Sequence, residues 1–250
     1  MHTAGAVNSV QPPTPEDTTR LSKVVAALVP CSRSQAEQYI TEGWVRVDGR
    51  VVEEPQFRIG RQQVEIDPQA RLQSRTAASF LVHKEAGVPL AQLQGLLDAA
   101  NRWNGDESGM RRIKSHSVGL TVLMPLPSPA SGLCVLSQDG RIVRKLQEDA
   151  RTLEQEFIAD VTGSIAPGGL ARLCHGLACE GQPLPPARVS WQSEARLRFA
   201  VKGIAADQVA WMCREVGLQL QGLKRIRIGR VPMAGLPAGR WRYLAPHERF

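Results

Sequence analysis

No apolar run in this sequence approaches the roughly 20 residues a membrane-spanning helix needs, so neither a membrane span nor a membrane partner is expected. The first ten residues lack a basic segment followed by an apolar one, so no secretory signal is expected and a cytoplasmic setting is. Cysteine is sparse and odd in number. Residues 31, 134, 174, 179 and 213 are scattered among apolar neighbours, which excludes a disulfide framework and points to a reducing compartment. Cys174, His175 and Cys179 lie close together, but no second Cys/His pair has ligand spacing, so no metal is expected. What is present is a chain of 250 residues, 42% hydrophobic and 22% charged, long enough for two domains.

The formal charge of +7 is modest, and its distribution says more than its size. Between Arg20 and Arg71, eight Lys/Arg nearly cancel seven Asp/Glu. Between Gln221 and Phe250, seven cations face one acid, Glu248. A basic balance of this kind favours a polyanionic partner, because neutralised phosphates release counterions; a solvated basic surface accounts for charge alone equally well.

Residues 1–19, with Pro12-Pro13-Thr14-Pro15, read as a tail without a core. Leu21, Val24, Val25 and Leu28 have helical spacing, stopped by Pro30. A second helix starts at Ser32-Arg-Ser-Gln35 or Ser34-Gln-Ala-Glu37, both of which fit a capping box, buries Ala36, Tyr39 and Ile40, and ends at Gly43. Val45-Arg-Val47 and Arg50-Val-Val52 flank Asp48-Gly49, a strong hairpin signal, and Val64-Glu-Ile66 adds a strand. Residues 68–78 are polar and proline-punctuated, a linker. Beyond it, strands are expected at 80–82, 133–136, 153–161, 196–201 and 223–228, and helices at 89–97, 141–146 and 205–217. In the strand at 223–228, alternation turns Ile226 and Ile228 one way and Arg225 and Arg227 the other. The segment 101–117 carries Arg102, Arg111, Arg112 and Lys114 and reads as an exposed loop that could meet RNA or be ordinary surface.

Helix, helix, hairpin, strand over residues 20–67 resembles an S4 RNA-binding domain, through Arg20-Leu-Ser-Lys23, Cys31-Ser-Arg-Ser-Gln-Ala-Glu37 and Glu42-Gly-Trp-Val-Arg-Val-Asp-Gly-Arg-Val-Val52. The resemblance implies that Arg20, Lys23, Arg33, Arg46 and Arg50 face structured RNA, contacting phosphate and shape more than base edges. Residues 79–250 resemble the S4-domain pseudouridine synthases of the RsuA-like branch, which modify ribosomal RNA. The match runs through His83-Lys-Glu-Ala-Gly-Val88, Ser131-Gly-Leu-Cys-Val-Leu-Ser-Gln-Asp-Gly140, Gly222-Leu-Lys-Arg-Ile-Arg-Ile-Gly-Arg230 and Gly235-Leu-Pro-Ala-Gly-Arg-Trp-Arg-Tyr-Leu244. The fold class it implies is α+β, a small helix-helix-hairpin domain followed by a mixed domain on a largely antiparallel sheet.

The same alignment puts the family's catalytic Asp at Pro127 and its Arg positions at Pro125 and Ala210. Its Tyr falls at Phe157, which keeps a stacking surface and loses a hydroxyl. The family's basic helix start is replaced by Ala205, Ala206, Asp207, Ala210 and Trp211. Such enzymes flip a uridine out of its RNA for an aspartate to act on, which requires a carboxylate and a cation that keeps it ionised. Ser128, Ser131, Asp139 and Asp207 are the neighbours that could substitute, and none lies where the chemistry needs it. The expectation is a monomer without cofactor that binds structured, ribosomal RNA through its S4 module and through Lys224, Arg225, Arg227 and Arg230, and that has lost catalysis. The alternatives are an active synthase with an atypical nucleophile and a protein-interaction module that binds no RNA.

Overall fold

In the computed structural model, which describes residues 18–70, 72 and 77–250, Asp48 and Gly49 both take positive φ (48° and 76°). That is the turn their sequence demands, and it joins β2 (Val45–Val47) to β3 (Arg50–Val51). The described residues form two units. One holds those up to 72 together with Ile113–Ser115, and the other holds Ala77–Arg112 with His116–Phe250. The tail at 1–17 and linker positions 71 and 73–76 lie outside the described residues.

The first unit has the expected element order. Its α1 (Leu21–Leu28) ends ahead of Pro30. Of the two candidate boxes, Ser32/Gln35 caps α2 (Arg33–Thr41): Gln35 N donates to Ser32 Oγ (3.3 Å), and Ser32 N donates to Gln35 Oε1 (2.8 Å). A three-stranded sheet runs β3-β2-β5, with β5 at Val64–Ile66. A second pairing, unforeseen in the sequence, joins β1 (Thr19–Arg20) to β4 (Arg58–Ile59), so the expected tail ends in a strand. Leu21, Val25, Ala36, Ile40, Val45, Val47 and Ile59 make the core.

The second unit is built on nine strands. They are β6 (Ser79–Lys84), β7 (Thr121–Leu123), β8 (Ser131–Ser137), β9 (Gln155–Gly163), β12 (Arg188–Ser193), β13 (Arg196–Val201), β14 (Leu218–Ile228), β15 (Val231–Pro232) and β16 (Trp241–Tyr243). The order is β12-β13-β9-β14-β8-β6-β16, with β15 added to β14 and β7 to β8. Every pairing is antiparallel except β14 with β8. A separate small hairpin joins β10 (Ala178–Cys179) to β11 (Gln182–Pro183). One sheet face packs on α4 (Gly169–Cys174), α5 (Ala206–Glu215) and a 3-10 segment at Leu90–Leu97. The other face receives Leu146, Ile142 and Val143 from α3 (Gly140–Glu148), whose cap is Asp139. None of the described helices is long and apolar enough to cross a membrane.

Two expectations need correction. Leu90–Leu97 winds as 3-10 rather than α: Gly95 weakens its helical preference, and the Trp241 indole donates to Asp98 O (2.7 Å), a tertiary anchor at its end. The strand expected at 223–228 begins at Leu218, and register shifts at Leu220/Gly222 and Arg225/Arg227 break its alternation.

At β8 the sheet forks. One edge of β8 pairs with β6 throughout. The other is shared: β14 takes Ser131 and Gly132, and β7 takes Val135 to Ser137. Gly132 has φ +110°, and a Cβ there would fall inside the backbone of Arg225. Gly132→Ala therefore combines backbone strain with overpacking and costs about 3 kcal/mol or more, read as a lowered midpoint in urea unfolding.

Candidate nucleic-acid interface

Between the prongs of the fork lies the guanidinium of Arg225. Nε donates to Leu133 O (2.8 Å) and Nη1 to Gln155 Oε1 (2.9 Å), while Nη2 donates to Met124 O. Arg225 is 2% exposed, and burial pulls its pKa down to about 10, so it stays charged at neutral pH. The segment it reaches, Met124-Pro-Leu-Pro-Ser-Pro-Ala130, is held from its other side by Lys84. That ammonium donates to Ala130 O (2.6 Å), Ser128 O (2.9 Å) and Glu85 O (3.0 Å), and burial lowers its pKa. Ser128 O also accepts from Gly87 N (2.8 Å), and Ser128 Oγ donates to Gly87 O (3.0 Å). Leu126 and Ala130 are buried while Pro125, Pro127 and Pro129 are exposed. Two buried cations thus brace one loop through neutral acceptors. Among the described residues, no carboxylate forms an ion pair with either.

In the first unit, Arg20, Lys23 and Arg33 converge with Arg58 on a groove of about 420 Å³, completed by Thr18, Thr19, Ser22 and Ala26. No acid lines it. Arg58 was not foreseen, because its place depends on the two-residue pairing of β1 with β4, which leaves no periodic signal. Arg46 and Arg50 are exposed on the hairpin and do not line the groove; Arg46 Nη1 donates to Gly49 O (3.2 Å).

In the second unit the expected basic strand is corrected. Arg225 is buried, because the bulge after it turns its side chain into the fork. Arg227 pairs with Glu154 (2.5 Å) and Glu156 (2.6 Å). Lys224 is half-buried, and Arg230 is exposed beyond β14. Of the cations of 101–117, Arg102 and Arg112 turn inward, while Arg111 and Lys114 are exposed. Arg102 binds Asp106 and Met110 O and lies over the Trp241 and Tyr243 rings, Arg112 donates to Leu97 O (2.8 Å), and Lys114 pairs with Glu53 inside the first unit.

A model of the S4 domain matches residues 19–64. The chain is 27% identical over 236 residues to ribosomal large subunit pseudouridine synthase B of Bacillus subtilis, covering 92% of this chain and 93% of that one. It is 24% identical over 235 residues to the dual-specificity RNA pseudouridine synthase RluF of Escherichia coli K12, covering 94% and 78%. A crystal structure of a pseudouridylate synthase shares the fold, with a TM-score of 0.55 at 20% identity over 90% of this chain and 96% of that one. The protein is an S4-domain homologue of the ribosomal RNA pseudouridine synthases.

On the pseudouridine-synthase frame, Pro127 sits exposed in the braced loop, and Ala210 is half-buried on α5. Phe157 is fully buried, which corrects the expectation that its ring keeps a stacking surface. Phe199 lies directly across from it on β13, and Val209, Met212 and Cys213 of α5 share its cluster. The neighbouring hydroxyls and acids have other work. Ser131 Oγ donates to Leu223 O (3.3 Å), Asp139 accepts from Arg141 N (2.8 Å), and Asp207 is exposed in the first turn of α5. Among the described residues no three His, Cys, Asp or Glu side chains converge as a metal site.

Arg225→Lys keeps a charge but cannot present three donors in a fixed fork. It leaves buried acceptors unmet and lowers stability by about 2–4 kcal/mol, with faster proteolytic cleavage at 124–130 as the local readout.

Proposed function

We propose that this protein binds structured ribosomal RNA and does not isomerise uridine. Homology to ribosomal RNA pseudouridine synthases and the groove of the S4 unit lined by four cations support the first half. The observation that carries the second is Pro127. At the point where the resemblance expects the catalytic carboxylate stands an exposed side chain with neither nucleophile nor proton acceptor. The two cations nearest that loop already have their donors committed to carbonyls and an amide, as structural braces do. Pro125 and Ala210 remove the two cations, and Phe157 the hydroxyl, at the other three expected positions. On this reading the protein works as a monomer in the cytoplasm, in ribosome assembly or as a guard of a modification site, with its five cysteines as free thiols.

Two measurements test the halves separately. Anisotropy titration of a ribosomal RNA fragment is expected to give affinity that falls steeply with salt. Arg20→Ala with Lys23→Ala and Arg58→Ala is expected to reduce the logarithmic salt slope by about two or more. A flat, weak response of the unaltered protein overturns RNA binding. Mapping pseudouridine in ribosomal RNA by mass spectrometry, with and without the gene, is expected to show the same set of sites. A site reproducibly lost on deletion, and restored by the purified protein acting alone on a transcript, overturns the loss of catalysis.

A further inference from the structure

The sheet face opposite α5 carries a run of ion pairs that the RNA-binding reading leaves unused. Phe157, Ala159 and Val161 of β9, with Leu197, Phe199 and Val201 of β13, turn into the core, so Glu156 and Asp160, with Arg196 and Arg198, come out on the other side. Register sets Arg198 across from Ile158 and Arg196 across from Asp160. On the far flank of β9, Lys224 lies across from Ile158 and Arg227 from Glu156. Arg188 opens β12, across from Ala200.

The charges on this face do not balance. Glu154 is shared by Arg188 (2.6 Å) and Arg227 (2.5 Å), and Glu156 by Arg227 (2.6 Å) and Arg198 (2.5 Å). Arg196 and Asp160 form a closed pair (2.7 Å). Lys224 has no ion-pair partner among the described residues, so five cations face three carboxylates. Glu154 and Glu156 stay ionised: Arg227 holds Glu154 below the usual range, and at Glu156 burial pulls upward but Arg227 and Arg198 outweigh it.

A groove of about 480 Å³ opens at the start of β12, lined by Arg188, Ser190, Arg198, Ala200, Glu156 and Cys174 among others. The guanidiniums lie outermost. The Arg188 and Arg198 side chains are 78% and 45% exposed, against 21% for Glu154 and 10% for Glu156. Among the described residues Arg188 donates only through Nη2, and Arg198 through Nε and Nη2, so Nε and Nη1 of the first and Nη1 of the second remain for a ligand. Ser190 Oγ accepts from Gln192 and keeps its own proton to give.

We propose that this groove is a second RNA site: a phosphodiester seats against Arg188 and Arg198, with the Ser190 hydroxyl as a third donor. The surplus of positive charge is what the phosphate neutralises, Glu156 beneath holds the Arg198 guanidinium in place for it, and Glu154 competes with it for Arg188. The inference rests on the RNA-binding reading and adds where on the second unit the backbone is held.

The test is anisotropy titration of the ribosomal RNA fragment by the full chain at several salt concentrations. Arg188→Gln with Arg198→Gln is expected to weaken binding several-fold and lower the salt slope by about one to two. Glu154→Gln removes a shielding charge and frees Arg188, so binding tightens several-fold; a network that serves stability alone gives no tightening. If the double variant does not fold, Glu154→Gln and the charge-keeping pair Arg188→Lys with Arg198→Lys, expected to retain the slope, decide the matter. Salt-dependent binding that neither Glu154→Gln nor the arginine variants alter overturns the second site and leaves the RNA reading standing. No salt-dependent binding by the unaltered chain overturns both. Competition by poly-glutamate more effective than by RNA overturns the phosphate and points to an acidic protein segment instead.

Discussion

One side chain closes the sheet of the second unit where its strands cannot. β14 and β7 share a single edge of β8, and the carbonyls left between them at Leu133 and Met124 are met by Arg225. Buried backbone carbonyls without a donor are costly, and a lone buried cation is costlier still. Here each satisfies the other. The guanidinium gains three acceptors, and the fork gains the hydrogen bonds that a continuous ladder would have supplied. Gly132 is what lets the two backbones come close enough for this, and the loop at 124–130 inherits its position from the result.

The basic balance of the chain is therefore a poor map of its basic surface. Of the cations in the last thirty residues, Arg225 is buried, Arg227 and Arg242 are ion-paired, and Arg240 and Arg249 donate to backbone carbonyls. Lys224 and Arg230 remain. In the S4 unit, where local charge nearly cancels, the cations are sorted by position so that four of them line one groove, with no acid among its described residues. What a polyanion meets is decided by which carboxylates the fold brings beside each cation, and net charge carries none of that.

This also separates what could be read from the sequence from what could not. The S4 unit was legible because its signals are local: Ser32 and Gln35 cap each other three residues apart, and Asp48-Gly49 fixes its own turn. Within the second unit, the strands at Ser79–Lys84 and Ser131–Ser137 are legible as apolar runs, and Arg196–Val201 by its alternation. Which strand pairs with which is not, since register between segments far apart is set by packing. Thus Arg196 and Arg198 could be placed on a strand, yet their pairing with Asp160 and Glu156 could not be seen. Arg225 was placed on the wrong face because alternation holds only while a strand is regular, and β14 is bulged on both sides of it.

The distance along the chain from Leu133 to Arg225, 92 residues, has a consequence for how the molecule comes into being. On the ribosome β6, β7 and β8 emerge long before β14, and can join one another while the gap beside Leu133 still faces water. Arg225, which arrives with β14, must surrender its hydration to enter. The centre of this sheet thus cannot close before β14 has emerged, and only β15 and the edge strand β16 follow it.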